Sequence, residues 1–174
     1  MRLYGSGRTD RARSDLYKGI TEGESMIYGT LSLAKQYDKE GKIDVWMQDF
    51  LRADGKNLAL ADGLLLEERH YFGLREIPIS LLSDVKSGTP EYLHEENAIQ
   101  YFFHVVEKMK ESLADGWDAP PLIVDYVYGQ FHVNDGRHRL ETYRQLGVER
   151  VWAAVWTTGE ENKKTVEKIL EDNK

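Results

Sequence analysis

Apolar residues recur at intervals of three and four through the first part of the chain, a spacing that places them on one side of a helix. Met26, Ile27, Thr30, Leu31, Ala34 and Tyr37 form the first such run, and Ile43, Trp46, Met47, Phe50 and Leu51 the second. Leu58, Ala61, Leu64, Leu65 and Tyr71 suggest a third, weakened by Gly63 at its centre. Thr21 with Glu24 has the form of a capping box, which predicts the first helix over about residues 24 to 38, ending near Gly41. Asp54-Gly55 stops the second. Residues 21–73 therefore read as a helical subdomain whose aromatic stripe fits a core better than a ligand box.

The period changes after Gly73. Ile77, Ile79 and Leu81 alternate as in a strand, and Pro78 biases that strand to a sheet edge or to its own beginning. A loop follows, then a long helical run over residues 94–113 through Ala98, Ile99, Phe102, Phe103, Val106 and Met109. Leu122-Ile123-Val124 predicts a strand, and residues 126–131 a hairpin. Phe131 and Val133 alternate with His132 and Asn134, Asp135-Gly136 breaks the run, and a helix over residues 140–146 ends at Gly147. Residues 151–156 are apolar on both faces, so that strand must be covered on both sides, one of them by the N-terminal helices. Residues 160–174 read as a solvated helix. The pattern predicts an α+β fold with its main unit at residues 74–158 and a C-terminal helix at 159–174.

At 174 residues the chain fits one domain, or one with a small appendage. It has no cysteine, which removes disulfides, thiolate metal sites and cysteine nucleophiles. A net charge of −7 argues against a surface that coats nucleic acid as a whole. Charge is uneven, however: residues 1–18 hold Arg2, Arg8, Arg11, Arg13 and Lys18 against Asp10 and Asp15, net +3, leaving −10 for the rest. Gly5-Ser6-Gly7 adds freedom, so residues 1–20 read as a flexible basic arm, either a solvated tail or a nucleic-acid contact. No run approaches the roughly 18 to 20 apolar residues of a membrane span, and the start lacks a signal-peptide core. A soluble, cytoplasmic protein without a membrane partner is expected, and a homodimer stays open.

Chemistry concentrates at residues 134–139, Asn-Asp-Gly-Arg-His-Arg. A helix start leaves backbone N–H groups unpaired and carries a partial positive charge, so Arg137, His138 and Arg139 there would make an anion site suited to phosphate. Asp135 beside these cations suits a magnesium ligand better than a general base, or else it shapes the turn and caps the helix. Arg137 either reaches phosphate or pairs with Glu141 one turn on. His70, His94 and His132 show no metal-ligand spacing. Trp117, Trp152 and Trp156 fit core packing better than base stacking.

The order of these elements resembles the ParB/sulfiredoxin superfamily: a strand at 77–82, a loop, a long helix, Pro120-Pro121-Leu122-Ile123, Gln130-Phe131-His132-Val133, residues 135–139 and Leu146-Gly147 before a strand. The match covers roughly residues 75–157 and leaves the N-terminal helices unmatched. It implies a small mixed sheet with helices, holding the phosphates of ATP, ADP or CTP, with magnesium, at the helix start near His138, where Gly136 allows close approach. It also implies phosphate contacts from Arg137 and Arg139, from His104 and Lys108 on one face of the long helix, and from Lys86 in the loop. Phosphoryl transfer would need a base near the acceptor, for which Asp135 and Glu95 are candidates, with Glu91 and Glu96 open alternatives in the same region as Glu95.

Members differ in what they do. Sulfiredoxins place a cysteine just before the His-Arg pair; here Arg137 stands there, so that activity is not expected. ParB proteins bind CTP, clamp DNA and carry a helix-turn-helix domain after the nucleotide domain, where this chain has residues 159–174. A third branch phosphorylates free serine through Asp-Gly-His-His-Arg, which Asp135-Gly136-Arg137-His138-Arg139 matches except at Arg137. The expectation is a nucleotide-binding protein, as a phosphotransferase or NTPase. The alternative is a non-catalytic ParB-like module for DNA or a protein partner.

Overall fold

The computed structural model describes residues 27–83 and 93–174. Three helices come first: α1 Leu31–Lys39, α2 Ile43–Arg52 and α3 Leu58–Leu64. The first starts later than its apolar pattern predicts, because Thr30 is its N-cap and accepts the Leu33 N–H at 3.1 Å. Thr21 and Glu24 lie outside the described residues. Asn57 caps α3 in the same way through Leu60 N–H.

Tyr71 does not extend α3. It belongs to strand β1, His70–Pro78, which runs upstream of the predicted strand and stops where that one was to continue. Pro78 lacks an N–H and ends the ladder, so Ile79 and Leu81 sit in a short 3₁₀ turn instead. The alternation in β1 is broken by a bulge between Tyr71 and Leu74, where Gly73 has φ +77° and Leu74 N–H turns to the Asp38 carboxylate at 3.0 Å.

The remaining elements are α4 Glu96–Ala114, β2 Leu122–Val127, β3 Gln130–Asp135, α5 Arg137–Gln145, β4 Arg150–Thr157 and α6 Glu160–Asp172. The sheet is mixed, in the order β1-β4-β2-β3, with β4 antiparallel to β1 and parallel to β2, and β2 antiparallel to β3. β1 is an edge strand, as its proline predicts.

Both faces of β4 are covered. Ala154 and Trp156 pack with Ile123 against Ala34, Tyr37, Trp46, Met47 and Leu51 of the N-terminal helices. Val151, Ala153 and Val155 pack on the other side with Val124, Val133, Leu140 of α5, and Val166 and Leu170 of α6. The C-terminal helix is thus not simply solvated: Val166 and Leu170, four residues apart, share the face it buries. Helix α4 packs on α5 and buries Phe102 and Val106. No helix among the described residues is long and apolar enough to cross a membrane.

Candidate functional site

The motif lies at the junction of β3 and α5. Asp135 is the last residue of the strand, Gly136 the N-cap, and Arg137, His138 and Arg139 the first helical turn. Gly136 has φ +105°, and a Cβ there would lie 2.6 Å from Leu122 Cδ2 and 2.7 Å from Arg139 Nη2. Only glycine fits this turn. Gly136 has no side chain to cap the helix, and the Asp135 carboxylate accepts from Asn57 and Arg139 rather than from the first N–H groups of α5.

Asp135 is instead held by two donors. Asn57 Nδ2 donates to its Oδ1 at 3.1 Å, and Arg139 Nη2 to its Oδ2 at 3.1 Å. Arg139 is 8% exposed, its Nη2 also lies 3.4 Å from the Pro121 carbonyl oxygen, and its Nε has no hydrogen-bond partner among the described residues. A buried guanidinium must be paired, and here a carboxylate one helical turn back neutralises it.

Asn134 braces the strand side of the turn. Its Oδ1 accepts Trp156 Nε1 at 2.9 Å, and its Nδ2 donates to Asp125 Oδ1 at 3.1 Å. His138 is half-buried and stacks on Phe102, ring centroids 4.4 Å apart and planes 28° apart. Burial lowers its pKa and Arg139 lowers it further, while Asp135 opposes them. The neutral imidazole is therefore favoured near neutral pH. The Glu141 carboxylate is taken by Arg144, at 2.8 and 2.7 Å, and by Gln145 at 2.7 Å.

Of the other expected phosphate contacts, His104 and Lys108 are not gathered here. His104 is two residues from both Phe102 and Val106, so α4 turns it away from the face that meets His138, and Lys108 lies with it. Both line an open groove of about 680 Å³ with Tyr101 and Trp117. Lys108 pairs with Glu111 at 2.9 Å. Glu95 is exposed at the N-cap of α4 and makes no side-chain capping bond there, while Glu96 accepts Gln100 Nε2 at 3.2 Å. Lys86 and Glu91 lie outside the described residues.

Of the histidines outside the motif, His132 Nδ1 lies 3.0 Å from Ser83 Oγ, and His70 Nε2 lies 3.3 Å from Glu160. No group of three metal-capable side chains exists among the described residues. Trp156 is buried, while Trp152 lies under Lys35 Nζ at 4.2 Å.

Asn57 and Phe102 are the site's unforeseen members. Asn57 before an apolar helical run has the form of an N-cap, which was readable. Its bond to Asp135, across 78 positions of sequence, was not.

No protein-family profile matches the chain, and neither does any curated protein. Among solved structures, sulfiredoxin from Arabidopsis thaliana aligns with 53% of this chain and 93% of its own, at 17% identity and a TM-score of 0.36. The C-terminally truncated chromosome-partitioning protein ParB from Caulobacter crescentus, complexed with CTP-gamma-S, aligns at 20% identity and a TM-score of 0.36. That match covers 57% of this chain and 52% of the ParB chain. A pNOB8-like ParB N-domain aligns over 62% of this chain and 35% of its own, at 19% identity and a TM-score of 0.35. The likeness to these structures spans a little over half of this chain.

Proposed function

We propose that the β3–α5 junction binds the phosphates of a nucleotide, ATP, ADP or CTP. The observation that carries this reading is a helix start whose N-cap is Gly136, which has no side chain, and whose first turn is Arg137, His138 and Arg139. A helix N-terminus alone contributes about 0.3 to 1 kcal/mol towards an anion. Hydrogen bonds from charged donors contribute about 1.5 to 3 kcal/mol each, so the side chains decide affinity.

Arg139, one of these donors, already has an anion, Asp135. A phosphate at this turn competes with that carboxylate. His138, neutral when the site is empty, gains from protonation when a phosphate arrives beside it.

Asp135 is also the carboxylate placed to join a magnesium ion that the phosphates carry in, since magnesium is commonly held by one or two carboxylates plus phosphate and water. It would have to leave Arg139 to do so. Bound there, magnesium would supply neutralisation of phosphate charge. A phosphotransferase or NTPase, with Asp135 or Glu95 as base, is the finer form of this reading. The net charge of +3 on residues 1–18 favours a second, a DNA-binding module, which predicts salt-dependent DNA binding lost on their deletion.

Titration calorimetry with ATP, ADP and CTP tests the first reading. Saturable binding is expected, weakened about tenfold or more by His138→Ala, the scale of one hydrogen bond to a charged group. No binding of any of the three by the full chain would refute it.

A further inference from the structure

The two oxygens of Asp135 are held from opposite sides, and one holder comes from outside the matched half of the chain. Oδ2 takes Arg139 Nη2 from the motif, while Oδ1 takes Asn57 Nδ2 from the turn between α2 and α3, both at 3.1 Å. Asn57 has little freedom. Its N–H donates to the Leu51 carbonyl at 2.8 Å, and its Oδ1 accepts Leu60 N–H at 3.2 Å. An N–H can only donate and a carboxylate can only accept, so the Leu60 bond turns the amide nitrogen towards Asp135. The turn before it is tightly built: Gly55 N–H donates to the Phe50 carbonyl at 2.8 Å, and Lys56 has φ +49°.

From this geometry we infer that Asn57 is a positioning residue of the anion site, holding Asp135 when a phosphate takes Arg139. The inference rests on the phosphate-binding reading. Asp135 has a side chain only 14% exposed, so once parted from Arg139 its charge has little water to turn to. The Asn57 amide is then the donor that keeps the carboxylate in place. The N-terminal helices thereby complete a site that the motif alone leaves open.

The test is a double-mutant cycle of Asn57→Ser and Asp135→Asn in the full chain. Serine keeps the helix cap but is too short to reach Asp135. Asn57→Ser is expected to weaken ATP binding in EDTA about tenfold, on the scale of one hydrogen bond to a charged group. In the Asp135→Asn background the same change is expected to move affinity less than about twofold. Asn57→Asp, which also caps but sets two carboxylates together, should weaken binding at least as much. Unchanged binding in Asn57→Ser, or an equal loss in both backgrounds, overturns the inference. Should the unsubstituted chain bind no nucleotide, the phosphate reading fails by itself. Stability by urea unfolding then decides: coupling between the two substitutions supports the hold of Asn57 on Asp135, and additivity overturns it.

Discussion

Arg139 and Asp135 form an ion pair across one turn of chain, Nη2 to Oδ2 at 3.1 Å, with side chains 10% and 14% exposed. The buried arginine of the motif is thus closed by a carboxylate of the same motif. On the phosphate-binding proposal, binding and closure compete at one guanidinium.

Asp135→Asn is expected to open it. The amide is a weaker partner for Arg139, so metal-free pyrophosphate should bind more tightly than to the unsubstituted chain, by up to about tenfold for one charged hydrogen bond released. Stability should fall by about 1 to 3 kcal/mol for the same reason. Calorimetry and urea unfolding measure the two changes, which are expected in opposite directions.

Gly136→Ala is expected to damage the fold and the site together. A left-handed φ of +105° and contacts of 2.6 Å to Leu122 and 2.7 Å to Arg139 leave no room for a methyl group. Strain and overpacking together should cost roughly 2 to 4 kcal/mol, read as a loss in chemical denaturation.

His138 should make stability depend on pH in one direction. Burial against Phe102 and the charge of Arg139 lower its pKa, so the unfolded chain takes up this proton more readily than the folded one. Its contribution is full above the unfolded value of about 6.5 and is lost as pH falls towards the lowered folded value. Between pH 7.5 and pH 5 the unsubstituted chain should lose more stability than His138→Gln. Equal losses would remove His138 from the account.

Phe102→Leu should report on the same contact. Loss of the ring exposes His138, so its titration midpoint by NMR should rise towards 6.5, with a stability cost of about 1 kcal/mol.

The elements legible in the sequence were those whose apolar spacing and punctuation agreed. Ile43 to Leu51 with Asp54-Gly55, and Phe131 to Asp135 before Gly136, became α2 and β3 with little change. Errors arose where tertiary partners override the local pattern. Tyr71 continues a helical period but sits in β1, whose bulge is supported by Asp38 from α1. Ile79 and Leu81 alternate as a strand would, yet Pro78 ends the ladder. His104 shares a helix with Phe102, and only the packing of α4 on α5 decides which of them meets the motif. The cation cluster itself was readable because glycine, helix start and charge lie within six residues. Its closure by Asp135 and Asn57 was not.

On the proposal above, the first turn of α5 receives phosphate. The most direct measurement is the amide NMR spectrum of the full chain titrated with ATP, CTP and pyrophosphate. Saturable shifts of the Arg137, His138 and Arg139 amides, with a matching change at the Asn57 side-chain amide, are the predicted result. An unchanged spectrum at those positions, or shifts confined to the groove at Tyr101 and Trp117, would contradict it.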